Sequence, residues 1–156
     1  MSGTAMADES ATLSVRLVRK PIHSIFWHFA VACFIGALAT DITYSQTAEM
    51  MWANFSAWLL AAGLAIGVLA TLLCVFDLLT RRLVGVNRLT WPNVIGSIVV
   101  FTLAFLNSLV HSRDAWTSVV PMGLILSAIT VIVLLVAGLL GRLVSYRRAV
   151  GVVADA

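Results

Sequence analysis

The stretch that decides the fold covers residues 54–79 and reads NFSAWLLAAGLAIGVLATLLCVFDLL. Asp77 is its only charged residue, and its apolar residues form one continuous block instead of an amphipathic stripe. A helix needs roughly 20 predominantly apolar residues to cross the hydrocarbon core of a bilayer, which is about 30 Å thick. The stretch therefore predicts a membrane-spanning helix.

Three further apolar segments lie on either side of it, at residues 22–44, 93–111 and 121–141. The chain has 156 residues, of which 61% are hydrophobic and 11% are charged, and this composition excludes an ordinary soluble domain. The segments between the spans are short, so neighbouring helices should run antiparallel. The sequence predicts an all-α, integral membrane protein: a four-helix transmembrane domain at 22–141, folded as an up-down antiparallel bundle.

Lysine and arginine residues are distributed unevenly between the two ends of the predicted spans. Arg113 is the only one between spans one and two or between spans three and four. The other nine lie on the opposite side: Arg16, Arg19, Lys20, Arg81, Arg82, Arg88, Arg142, Arg147 and Arg148. The positive-inside rule then predicts that both termini are cytoplasmic.

The same rule interprets the rest of the basic sequence. Residues 1–21 form a predicted disordered basic tail and residues 142–156 a second basic tail, both on the cytoplasmic side. The net charge of +3 is explained by this topology, so no nucleic-acid partner is predicted and the lipid bilayer is the expected environment. Gly63 and Gly67 form a GxxxG pair for close helix packing, either within the chain or between chains.

The middle of the predicted spans is nearly free of polar groups. Thr102 and Thr130 are the strongest polar residues there, and a threonine hydroxyl can bond back to its own helix. A transport path needs ionisable groups or unwound helices near the midplane. Transport by this chain alone is therefore not expected.

Two polar residues mark the predicted inner leaflet. Asp77 precedes Arg81 by four residues, which favours a local ion pair. His28 is predicted to be a hydrogen-bonded core residue, with a ligand role as the alternative. A bis-histidine haem fits poorly, because His23 and His28 point about 140° apart on one helix and His28 and His111 differ in depth by about 18 Å. A haem with one axial histidine stays open as a minority interpretation.

The predicted outer leaflet gathers more polar residues. Asn107 and His111 share one face of span three, and antiparallel helices should bring Asp41 to them. An Asp41–His111 hydrogen bond would then orient the histidine ring. One further ligand would be needed to complete a metal site there.

A purely structural interpretation competes with this one. Asn54 and Ser56 could cap span two, and Asp114 could end span three. The tryptophans of the outer side would then form an interfacial belt, with Asp41 as a polar link between helices.

The stretches GALATDITY, MWANFSAWLLAAGL and FLNSLVHSRDAWTSVVPMGLILS resemble a bacterial membrane-protein family known as domain of unknown function 2231. The similarity runs from about residue 22 to about residue 141 and implies a small four-helix inner-membrane protein. Other branches of the family begin with a His-Pro-x-x-x-His-Phe motif, where this chain has HSIFWHF with Ser24 in place of the proline. The matching polar positions are Asp41, Tyr44, Trp52, Asn54, Trp58, Asn107, His111, Asp114 and Trp116.

The resemblance also implies a partner, because family members are often encoded beside or joined to periplasmic redox proteins. We expect a non-enzymatic membrane subunit or anchor whose outer rim binds a periplasmic, possibly redox, protein. The alternative is a redox or cofactor-binding protein that holds haem, quinone or a metal near Asp41 and His111 or at His28. An enzyme is not expected, because the sequence has no nucleophile–base pair with recognisable spacing and no glycine-rich phosphate loop.

Overall fold

The protein is represented by a computed structural model that describes residues 22–80, 90–113 and 119–154. Within these ranges there are four helices: α1 (Ile22–Thr47), α2 (Met50–Leu79), α3 (Trp91–His111) and α4 (Met122–Ala154). Each contains a segment long and apolar enough to cross a membrane. The predicted all-α, four-span fold is confirmed, and the predicted tail at 1–21 lies outside the described residues.

The helices extend beyond the predicted spans at several ends. Span one was predicted to end at Tyr44, but α1 continues to Thr47, and α2 begins at Met50 instead of Asn54. Only two residues join these helices, and Ala48 adopts a positive φ of 55° at the turn. The extra turn of α1 forms because polar side chains bond to its own carbonyl groups, as the Thr47 hydroxyl does to Thr43 O at 2.9 Å.

The starts of α3 and α4 and the end of α4 also differ from the spans drawn from hydropathy, whereas the start of α1 and the ends of α2 and α3 agree with them. Pro92 lies in the first turn of α3, where a proline is well tolerated. Helix α4 continues through most of the predicted tail at 142–156 and ends at Ala154. Hydropathy marks the part of a helix that lies in lipid, whereas the hydrogen-bonded helix continues into the polar interface.

The four helices form an up-down antiparallel bundle in the circular order α1–α2–α3–α4. Helix α1 packs most extensively on α2, and α3 packs most extensively on α4, so the bundle consists of two helical hairpins with smaller contacts between them. We use the name hairpin end for the end of the bundle that carries Thr47, Met50, His111 and Met122. The opposite end, which carries Ile22 and Ala154, is the terminal end.

Small residues form much of the bundle core. Ala30, Ala37 and Ala104 are fully buried. A β-carbon added at Gly67 would lie 2.6 Å from the Phe101 ring on α3, and one at Gly63 would lie 2.8 Å from a ring atom on α1. The GxxxG pair therefore packs within the chain, as close contacts between membrane helices require.

Candidate functional site at the hairpin end

One buried carboxylate joins all four helices. Asp41 on α1 has 0% of its side chain exposed, and its Oδ1 accepts hydrogen bonds from the Ser56 hydroxyl on α2 and from Nε2 of His111 on α3, the latter at 3.0 Å. Its Oδ2 accepts a hydrogen bond from the Ser127 hydroxyl on α4 at 2.5 Å. We call Asp41, Ser56, Asn107, His111 and Ser127 the Asp41 cluster.

The cluster forms because its members lie at one depth on buried helix faces. Asp41 lies six residues before the end of α1, and Ser56 lies six residues after the start of α2. Six residues correspond to about 9 Å along a helix. Ser127 lies five residues after the start of α4, so the three side chains meet about two turns below the hairpin end.

Asn107 extends the cluster between α3 and α4. Its Nδ2 donates to the Ser127 oxygen at 2.7 Å, which leaves the Ser127 hydroxyl hydrogen free to point at Asp41. The Asn107 Oδ1 is buried and has no hydrogen-bond partner among the described residues. Asn107, Ser127 and Asp41 thus form a directed chain of two hydrogen bonds that crosses from one hairpin to the other.

His111 is held at both of its ring nitrogens. Nδ1 lies 3.0 Å from the backbone oxygen of Asn107, one turn earlier in α3, and Nε2 lies 3.0 Å from Asp41 Oδ1. The side chain of His111 is 1% exposed. The predicted Asp41–His111 hydrogen bond is present, and both polar groups of the ring are used inside the bundle.

The other residues predicted at this end lie in different environments. Tyr44 is buried and donates to the Met50 sulfur at 3.8 Å, and the partly buried Trp52 packs beside it. Asn54 and Trp58 are exposed, Trp58 at 70%. The remaining two, Asp114 and Trp116, lie outside the described residues.

The capping role considered for the start of α2 is wrong. The N-cap of α2 is Glu49, which makes no side-chain cap hydrogen bond. Asn54 lies one turn inside the helix, and the Ser56 hydroxyl bonds to Asp41 instead of to the first backbone amides. Sequence reasoning missed Ser56 and Ser127 as cluster members; their signal was only their shared depth with Asp41.

An open groove lies on the surface next to the Asp41 cluster. It has a volume of about 560 Å³ and runs between the start of α2 and the end of α3. Its lining combines apolar, amide and cationic groups: Met50, Met51, Ala53, Asn54, Ala57, His111 and Arg113. The groove therefore brings Arg113, the only lysine or arginine that the sequence places at this end, close to the buried cluster.

The terminal end has a simpler polar contact. His23 Nδ1 lies 3.1 Å from Asp77 Oδ2, and the two side chains are 18% and 29% exposed. The expected Asp77 partner, Arg81, lies outside the described residues. The pair between His23 and Asp77 joins α1 to α2, so it links helices within one hairpin only.

His28 does not occupy the predicted core position. Its side chain is exposed on the surface of α1, and its Nδ1 donates to the backbone oxygen of Ser24 at 2.5 Å. The hydrogen bond exists, but it is made within the helix. Across the described ranges, no group of three or more His, Cys, Asp and Glu side chains is placed to hold a metal ion.

A family model described as "Predicted membrane protein (DUF2231)" matches residues 19–154. The chain belongs to this family. The DUF2231 match contains all four helices and the whole Asp41 cluster, so the resemblance noted from the sequence is confirmed. No curated protein and no solved structure matches this DUF2231 chain.

Proposed function

We propose that this DUF2231 protein is a non-enzymatic subunit of the bacterial inner membrane that anchors a periplasmic protein at its hairpin end. The observation that carries the proposal is the open groove of about 560 Å³ beside the Asp41 cluster. A redox protein is the partner class that the family resemblance favours.

The chemistry of the groove suits a protein ligand. Methionine and arginine are enriched at protein interfaces, and the groove has Met50, Met51 and Arg113 together with the amide of Asn54. The Asp41 cluster fixes the helices on which these side chains stand. The groove is thus a preformed surface, which lowers the entropic cost of binding.

The orientation follows from the distribution of basic residues. Nine of the ten lysines and arginines flank the terminal end or connect α2 to α3, which favours a cytoplasmic location for that end. The hairpin end then faces the periplasm. Arg113 alone provides a cation for an acidic patch on the partner.

The polar residues of the Asp41 cluster support a structural over a catalytic role. Both oxygens of Asp41 and both ring nitrogens of His111 are engaged inside the bundle, so none of these atoms is directed at a substrate. The α1–α2 connection has only two residues, which gives it no room for a folded domain. Holding helices together is the role that these contacts serve.

Site-specific photo-crosslinking tests the anchoring function. A photoreactive residue is placed at Met51 in the groove, and a matched control is placed at Leu72, which is 61% exposed in the last third of α2. We expect a specific protein adduct from Met51 in native membranes and only lipid adducts from Leu72. Identical lipid-only products from the two positions would contradict the proposal.

A second candidate, a haem protein, is favoured by one observation at His28. Metal-ligating histidines commonly donate their second ring N–H to a backbone carbonyl, and His28 Nδ1 does so to Ser24 O. Its Nε2, on the exposed face of α1, is then the atom that would hold a haem iron. His111 is a poorer ligand because both of its nitrogens are engaged.

The absorption spectrum of the purified protein, oxidised and then reduced with dithionite, tests this candidate. A Soret band that is lost in His28→Ala and kept in His23→Ala would establish haem binding at His28. A spectrum without haem bands would remove this candidate and leave the anchoring function unaffected.

A further inference from the structure

The ring of His111 faces a hydrogen-bond acceptor at each nitrogen. The Asn107 backbone oxygen next to Nδ1 can only accept a hydrogen bond, and it lies 3.0 Å away. Asp41 Oδ1 lies 3.0 Å from Nε2 and is also the acceptor for the Ser56 hydroxyl. A neutral imidazole has one N–H, so it satisfies both contacts only if the Asp41 carboxyl group is protonated and donates to the other nitrogen.

The other members of the cluster fix Asp41 as an acceptor. Because Asn107 donates to the Ser127 oxygen, the single Ser127 hydrogen is directed at Asp41 Oδ2. The Ser127 hydroxyl and the His111 Nε2 therefore converge on the carboxyl group from α4 and α3, and the Ser56 hydroxyl on α2, which also lies 3.2 Å from Ala37 O, can donate to it as well. Donors that converge on a carboxyl group favour its ionised form.

From this count of donors and acceptors we infer that Asp41 and His111 form a proton-binding site, in which the ring carries a proton at each nitrogen and the carboxyl group is ionised. The bound proton makes the pair neutral overall. That neutrality matters because an unpaired charge in a low-dielectric interior costs far more than a paired one.

Among the described residues, the groups that hydrogen-bond to the pair are uncharged. Helix α1 contributes Asp41 to the cluster, and α3 contributes the His111 ring and the Asn107 amide. Helices α2 and α4 each contribute a serine hydroxyl. In the part of the chain that the structure describes, no other Asp, Glu, Lys or Arg side chain hydrogen-bonds to the pair. Arg113 lies two residues beyond His111 and lines the groove.

Release of the proton would change the contact between the hairpins. The proton leaves as a hydrated proton through the groove, which His111 lines. The pair then consists of a His111 ring with one N–H and a buried Asp41 carboxylate. One ring nitrogen then presents a lone pair to an oxygen 3.0 Å away, at Asp41 or at Asn107. Proton binding is thereby coupled to the polar contact between the two hairpins, whether or not a partner occupies the groove.

Nitrogen-15 NMR of histidine-labelled protein in nanodiscs tests the site. The chain has three histidines, so His23→Gln and His28→Gln assign the spectrum. We expect the His111 ring to show two protonated nitrogens at about pH 7, close to the ordinary titration range of histidine. A His111 ring with only one protonated nitrogen overturns the proposal, including the case in which infrared spectroscopy finds the proton on Asp41.

Two variants separate the effect of charge from the effect of hydrogen bonding. Asp41→Asn removes the counter-charge and is expected to convert His111 to a ring with one N–H. Ser127→Ala removes a neutral donor and is expected to keep both N–H groups. Retention of both N–H groups in Asp41→Asn would contradict the pairing of His111 with Asp41. If that variant does not fold, the number of protonated His111 nitrogens in the unmodified protein decides whether the proposal stands. Photo-crosslinking from Met51 is independent of this result.

Discussion

Asp41 Oδ1 and His111 Nε2 are 3.0 Å apart, although the residues are separated by 70 positions in the sequence. The contact joins the first helical hairpin to the second, where the helices otherwise share their smaller interfaces. The same carboxyl group also bonds to Ser127 on the second hairpin. Two polar contacts between the hairpins therefore converge on this one acceptor.

Asp41→Ala should lower the free energy of unfolding by about 3–5 kcal/mol, because it removes one partner of a buried pair and leaves the His111 ring and the Ser127 hydroxyl without this acceptor. The matched control is Asp77→Ala, whose partly exposed pair with His23 should be worth about 0–1 kcal/mol. Unfolding in SDS–detergent mixtures, followed by circular dichroism, measures both. Equal losses in the two variants would contradict the central role of Asp41.

Ser127→Ala should cost about 1–3 kcal/mol, because the Asn107 amide and Asp41 Oδ2 both lose a buried partner. Thr130→Val is the control one turn later on α4. The Thr130 hydroxyl bonds only to Leu126 O of its own helix, at 2.7 Å, so its removal should have little effect. The same unfolding assay compares the two, and a larger loss in Thr130→Val would refute the predicted order.

Gly96→Ala should destabilise the bundle by about 1–3 kcal/mol through overpacking. The added methyl group would meet the β-carbon of Ala137 on α4, which has no side-chain rotation to relieve the contact. Gly138→Ala is the control, since nothing lies within 4 Å of a β-carbon added there. Thermal denaturation in one detergent should rank Gly96→Ala well below Gly138→Ala, and indistinguishable midpoints would show that α3 and α4 pack less closely than described.

Cysteine labelling tests the proposed orientation. In a background with Cys33 and Cys74 replaced by alanine, Glu49→Cys at the hairpin end should react with a membrane-impermeant maleimide added to intact spheroplasts. Tyr146→Cys near the terminal end, where the native side chain is 70% exposed, should react only after the membrane is opened. The reverse pattern would place the hairpin end in the cytoplasm and remove the basis for a periplasmic partner.

Hydropathy was sufficient to predict the four spans, and depth counting was sufficient to predict that Asp41 meets His111. Both work because a membrane fixes the height of each residue through the rise of the helix. The serine partners could not be identified in this way. A serine on an apolar helix can bond to its own backbone, cap an end or reach a neighbour, and only the packed arrangement selects the third for Ser56 and Ser127.

Neighbours across helices were also harder to predict than neighbours along one helix. The four-residue spacing of Asp77 and Arg81 predicts a local pair that lies outside the described residues, whereas the contact of Asp77 with His23 on the adjacent helix was not predicted. His28 was placed in the core on the general rule that buried polar groups find partners. It faces outward instead, because the bundle packs through the opposite, alanine-rich face of α1, which includes Ala30 and Ala37.

The spacing of the Asp41 partners along the chain has a consequence for biogenesis. Ser56 follows Asp41 by 15 residues, whereas His111 and Ser127 follow it by 70 and 86 residues. During synthesis, the first hairpin is complete before the ribosome reaches either of the later partners. A newly inserted first hairpin therefore holds an acidic group that only a single serine can satisfy, and it stays a target for insertion chaperones and quality-control proteases until the second hairpin arrives.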